Sequence, residues 1–109
     1  MKTIAEYTGQ DGTRPFSKWF RDLDSQAALK IRIAIARMEN GNFSNVKAVG
    51  QGVSEYRVAF GPGYRIYFGQ DGDRLVILLG GGSKKRQSND IAAAQARWQD
   101  YKARKRGGE

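Results

Sequence analysis

The sequence predicts one α+β domain in the order β-α-α-β-β-β-α, with a helical hairpin packed on a mainly antiparallel sheet. Three observations lead there. A chain of 109 residues suits a single core. Apolar residues recur at helical spacing between Phe16 and Met38 and again from Ile91. Between these stretches lie three β-like runs divided by glycine-bearing turns.

Lys2 to Tyr7 reads as a short strand, followed by turn residues Thr8 to Gly12. Thr13 suits a helix N-cap, with Pro15 in the first turn where a missing N–H costs little. Phe16, Trp19, Phe20 and Leu23 then form one helical face. Asp24 and Ser25 can cap a second helix, whose stripe is Ala28, Ile31, Ile35 and Met38, widened by Leu29, Ala34 and Ala36. Gly41 suits its stop. Residues 54–60, 63–69 and 74–79 are rich in branched and aromatic side chains and form a meander, turned by Gly61-Pro62-Gly63 and Asp71-Gly72. From Ser88 or Asn89 a last helix carries Ile91, Ala94, Trp98 and Tyr101 on one side, and residues 103–109 are expected to fray as a basic tail.

Charge and composition restrict the chemistry. The chain holds 19 Lys and Arg against 11 Asp and Glu, a formal +8, and has neither cysteine nor histidine. Disulfides, thiolate metal sites and cysteine nucleophiles are excluded, and catalysis must proceed without imidazole. No cofactor or metal is implied. No apolar run approaches the roughly 18–20 residues of a membrane span, and residues 1–6 lack a signal-peptide core, so the expectation is a cytoplasmic protein without membrane attachment. Residues 84–106 carry eight bases against two acids, which favours polyanions with a salt-dependent affinity.

Pairing Phe60 with Tyr64 and Gln70 with Asp73 gives an expected register. It places Tyr56, Val58, Phe60, Ile66, Phe68, Leu75, Ile77 and Leu79 under the helices. The other face then carries Glu55, Arg57, Arg65 and Tyr67 over a floor of Ala59, Val76 and Leu78, with the two arginines as diagonal neighbours. Gly80 to Ser83 is expected to be a strand-to-helix loop that delivers Lys84, Lys85, Arg86 and Gln87 to the sheet end. Arg57, Arg65 and Lys84 then converge from three elements, which suits the extra charge of a phosphoryl transition state. For RNA the nucleophile is the neighbouring 2′-hydroxyl. The base is a lysine lowered by nearby cations or a carboxylate such as Glu55.

These residues carry a resemblance. The runs Gly50-Gln51-Gly52-Val53-Ser54-Glu55-Tyr56-Arg57-Val58, Gly61-Pro62-Gly63-Tyr64-Arg65-Ile66-Tyr67-Phe68 and Leu78-Leu79-Gly80-Gly81-Gly82-Ser83-Lys84, then Gln87 and Asp90-Ile91, resemble the RelE/ParE toxin superfamily. Trp19-Phe20 with Leu23, and Glu39-Asn40-Gly41-Asn42, fit its phage-derived addiction-module killer-protein (HigB-like) branch. The resemblance implies a RelE-like fold over residues 1–109 and a toxin of a bacterial type II toxin–antitoxin module. It further implies a ribosome-dependent, metal-independent mRNA endoribonuclease that inhibits translation. Its partners would be ribosome and mRNA and a cognate helix-turn-helix antitoxin, through which alone operator DNA is contacted.

By position, Arg57, Arg65 and Lys84 match the phosphate-facing bases, with Tyr67, Glu55 and Asp90 auxiliary. Lys85, Arg86, Gln87, Lys102 and Arg104 are the expected RNA contacts. The chain departs from the pattern in lacking the histidines of some members, in Asp90-Ile91 where others place an aromatic, and in Ser83 before the lysine. The general acid and base are therefore unassigned. The rival classes are a ParE-like toxin that inhibits DNA gyrase without cleavage, and an inactive homologue that binds only RNA or antitoxin.

Overall fold

Alternation and turn chemistry build the sheet of the computed structural model, which describes residues 1–107. The strands are β1 (Thr3–Glu6), β2 (Val46–Ala48), β3 (Val53–Val58), β4 (Tyr64–Asp71) and β5 (Leu75–Ser83). The helices are α1 (Pro15–Arg21), α2 (Ser25–Glu39) and α3 (Gln87–Gly107), with a single 3-10 turn at Lys84–Arg86 before α3. The sheet order is β1-β5-β4-β3-β2. Only β1 runs parallel to its neighbour, β5, so the expected α+β class with a mainly antiparallel sheet is found.

Local chemistry explains the helix ends. Pro15 opens α1, but the cap position is Arg14, without a side-chain bond. Thr13, expected there, instead donates its backbone N–H to Asp11 and closes the preceding turn. Asp24 does cap α2, accepting from the Ala27 N–H at 2.8 Å, and Gly41 follows the last turn at φ +81°. The buried stripe of α2 is Ala27, Ala28, Ile31, Ala34 and Met38, whereas Leu29 is 54% exposed and Ala36 also faces solvent. Among the described residues no helix is long and apolar enough to cross a membrane.

Both faces of the sheet are covered, not one. The α1–α2 hairpin packs on Tyr56, Ile66, Phe68, Val76 and Leu78. On the other face α3 lays Ala94 and Trp98, flanked by Ile91 and Tyr101, over Val53, Tyr67, Ile77 and Leu79. The expected face assignment of β5 is therefore corrected: Val76 and Leu78 belong under the hairpin, and Leu75, Ile77 and Leu79 under α3. Asp71 pairs with Leu75 around a three-residue turn, so the register differs from the expected one by an odd number and flips the strand.

The β3–β4 pairing is also shifted, but by two residues, and an even shift preserves the faces. Val58 pairs with Tyr64, and Arg57 lies directly opposite Arg65. Glu55, Arg65 and Tyr67 keep their expected side but are buried, so that of the open face expected there only the end around Arg57 stays exposed.

One further correction concerns the glycines. Gly80 to Gly82 are strand, paired with Tyr67, Ile66 and Arg65 after a bulge at Leu79. Their lack of side chains admits neighbours from both layers. A Cβ at Gly81 would strike the Trp19 ring, and one at Gly82 the Asp90 carboxylate. The last helix runs through Gly107, and the part of the expected tail at residues 108 and 109 lies outside the described residues.

Candidate functional site

Strand pairing sets two arginines side by side at one end of the sheet. Like charges directly opposite on an antiparallel pair repel. Glu55, two residues before Arg57 and so on the same face, supplies the counter-charge. Its carboxylate lies 3.8 Å from Arg57 Nε and 3.6 Å from Arg65 Nε. Glu55 is only 1% exposed, and Gln87 Nε2 donates to its Oε1 at 3.0 Å. One buried carboxylate thus orients two guanidiniums. The outer, Arg57, keeps 55% of its side chain exposed and the inner, Arg65, only 10%.

Lys84 completes the group. Its backbone N–H donates to the Gly63 carbonyl at 2.8 Å, which fastens the end of β5 to the β3–β4 loop. Arg57, Arg65 and Lys84 line one cleft of about 440 Å³, together with Asn45, Ala59 and Gly63, and among the described residues no carboxylate lines it. The cleft is therefore a cationic surface open to solvent, with its negative charge kept underneath. Such a surface has the charge to attract a phosphodiester and to stabilise negative charge developing on it.

Behind the cleft lies a buried polar layer. Tyr67 is 1% exposed and its hydroxyl lacks a hydrogen-bond partner, as do Arg65 Nε and Asp90 Oδ2. Burial pushes the Tyr67 phenol up to about 12, helped by the Glu55 and Asp90 carboxylates and opposed by Arg65. Burial also raises the Asp90 carboxyl, against the pull of Arg86 and Arg97. Arg97 reaches the bulge instead, donating from Nη1 to the Leu79 carbonyl at 2.9 Å.

The residues expected to act together thus separate into four groups. Arg57, Arg65 and Lys84 share the cleft. Glu55, Tyr67, Gln87 and Asp90 lie beneath it, so Gln87 braces a carboxylate where an RNA contact was expected. Lys85 and Arg86 are exposed on the 3-10 turn beside the cleft without lining it. Lys102 and Arg104 are remote from all of these. They sit near the other end of α3, about 25 Å along the helix. There Lys102 covers the Trp98 ring at 5.9 Å, and Arg104 pairs with Asp100 at 2.9 Å. Sequence reading missed Asn45, which enters the cleft ahead of the three-residue β2, a strand too short to show a pattern.

Two comparisons place most of the chain among known sequences. An uncharacterized protein of Haemophilus influenzae is 40% identical over 84 residues, covering 76% of this chain and 85% of that protein. The family model for Phage derived protein Gp49-like (DUF891) matches residues 18–99, a span that includes the arginine pair, the glycine strand and Lys84. The chain therefore belongs to the Gp49-like phage-derived family, a family of toxin-like proteins of toxin–antitoxin modules.

Proposed function

We propose that this protein is the toxin of a bacterial type II module of RelE/HigB-like type, an endoribonuclease that cuts mRNA on the ribosome. The observation that carries the reading is the convergence of Arg57, Arg65 and Lys84 on one cleft without a lining carboxylate. In the reaction, the 2′-oxygen attacks the adjacent phosphorus and the bond to the 5′-oxygen breaks. The products are a 2′,3′-cyclic phosphate and a 5′-hydroxyl end. One proton leaves the 2′-oxygen and another arrives on the 5′-oxygen.

Arg57 and Arg65 hold the non-bridging oxygens and stabilise the added negative charge. Glu55, tied to both guanidiniums and to Gln87, is a positioning residue rather than the base. Lys84, once its ammonium has given up a proton to solvent, is the side chain of the cleft that would accept the 2′-proton. Holding the mRNA in line is left to the ribosome, whose ordering of the reactants offsets slow intrinsic chemistry. A cognate helix-turn-helix antitoxin neutralises the protein in the cytoplasm.

Induction in a bacterial host with mapping of mRNA 5′ ends tests the reading. New ends at codon boundaries are expected, and Arg65→Ala should reduce them by about 10²-fold or more. Intact mRNA together with DNA-damage signalling would replace the nuclease by a gyrase inhibitor. Lys84→Arg separates two roles of the lysine: a clamp keeps most activity with arginine, whereas a base loses about 10²–10⁴-fold.

A further inference from the structure

The arginine cleft does not end at Arg57. A second cavity of about 270 Å³ adjoins it and shares Asn45, Arg57, Val58 and Ala59 as lining. Its far wall is α2, which presents Lys30, Ile33 and Arg37, and its rim is Phe60 from the β3–β4 loop. Lys30 Nζ stands 5.6 Å from the centre of the Phe60 ring. Among the described residues no carboxylate lines either cavity. Among the described residues neither Lys30 nor Arg37 forms an ion pair. Across the two cavities, five cations line a continuous groove with one partly exposed aromatic ring at its far end.

We infer that this groove is a track for single-stranded RNA, in which Phe60 stacks a nucleobase flanking the scissile phosphate and Lys30 and Arg37 hold its backbone. The inference rests on the nuclease reading of the Arg57–Arg65–Lys84 cleft and extends it by one subsite. A groove of cations that follows the backbone, with an aromatic face for a base, is the general solution for binding single strands without reading sequence. Arg57, common to both cavities, would serve the scissile phosphate and the beginning of the track. Binding by stacking accepts any base, so this subsite adds affinity and sets strand path without setting codon choice.

Equilibrium binding of fluorescent 2′-O-methyl RNA, which lacks the attacking hydroxyl, tests the subsite. A dinucleotide and a hexanucleotide are compared by anisotropy over a range of salt. The hexanucleotide should bind more tightly. Phe60→Ala should weaken it by about 5- to 100-fold and leave the dinucleotide unchanged. Phe60→Trp should retain hexanucleotide affinity, whereas Phe60→Leu, which preserves packing without a π face, should not. Lys30→Ala and Arg37→Ala, both on the surface of a helix, should each reduce the salt slope by about 0.7.

The track is overturned if both oligonucleotides bind equally, or if Phe60→Leu and the two helix variants bind the hexanucleotide as the wild type does. In that case loss of dinucleotide binding in Arg65→Ala leaves the cleft reading standing alone. If neither oligonucleotide binds, the track is likewise overturned, and the mapped mRNA ends decide the nuclease reading separately.

Discussion

Glu55 serves two guanidiniums, and removing its charge leaves both without a counter-ion. For Glu55→Gln the expected loss is on the order of 2–3 kcal/mol in a urea titration, below the full cost of a broken buried pair because Arg57 is half in solvent. Asp90 behaves in the opposite sense. Burial raises its carboxyl in the fold, so the folded protein binds a proton more readily than the unfolded chain, and stability falls as pH rises through that range. Asp90→Asn removes the ionisation. It should raise the melting temperature at neutral pH, with the advantage vanishing below about pH 4, where the native carboxyl is protonated in both states. An advantage that persists at pH 3 would assign the gain to something other than charge. Both residues were visible in the sequence as acids beside a basic site. Their burial was not, because it depends on α3 crossing a face that the strand pattern alone leaves open.

At the scale of elements, the helices and the number of long strands were legible, and the β5 register was not. The run from Leu75 to Leu79 is apolar throughout, so sliding it by one residue exchanges one apolar face for another, and alternation gives no penalty. A strand buried on both faces hides its register for this reason. The turn also misled: Asp71-Gly72 suggests a two-residue hairpin loop, but Asp71 itself joins the ladder and the turn is Gly72 to Arg74. Gly69 records the true packing, since a Cβ there would come within 2.6 Å of the Trp98 ring. Gly69→Ala should therefore cost about 1–3 kcal/mol, read as a lower denaturant midpoint with an unchanged slope. Had α3 lain elsewhere, the same change in a strand would be neutral or mildly stabilising.

Across the whole molecule, α3 has two differently held ends. Near Gln87 it braces the cleft, and near Arg104 two carboxylates fasten it to the body. Asp71 accepts from Tyr101 at 2.6 Å and from Lys105, and Asp100 accepts from Tyr7 at 2.6 Å and pairs with Arg104. Hydrogen bonds from Lys105 and Tyr101 hold the Asp71 carboxyl below its ordinary value, and the Tyr7 bond does the same for Asp100. Their contribution is present above the unfolded value near pH 4 and is lost as pH falls through the folded values. The tyrosines carry the other sign. Burial and the adjoining carboxylates raise both phenols, Tyr101 to about 12, so their contribution is complete below pH 10 and is lost above it. Trp98, stacked on Tyr101 at 5.2 Å, should report the change. In a Trp19→Phe background its fluorescence should be constant between about pH 4 and 10 and change on either side. An acid limb unaltered in the Asp71→Asn, Asp100→Asn protein would remove these carboxylates as its cause.

Gly81 and Gly82, expected in a strand-to-helix loop, are instead strand residues on which both helical layers press closely. The Trp19 ring presses from one side and Asp90 from the other. The consequence concerns heredity more than chemistry. A lineage without the proposed nuclease activity would still have to keep these glycines, because any side chain would wedge the layers apart. Their persistence in a homologue is a record of thickness, and the proposed activity is to be judged by testing Arg57, Arg65 and Lys84 instead.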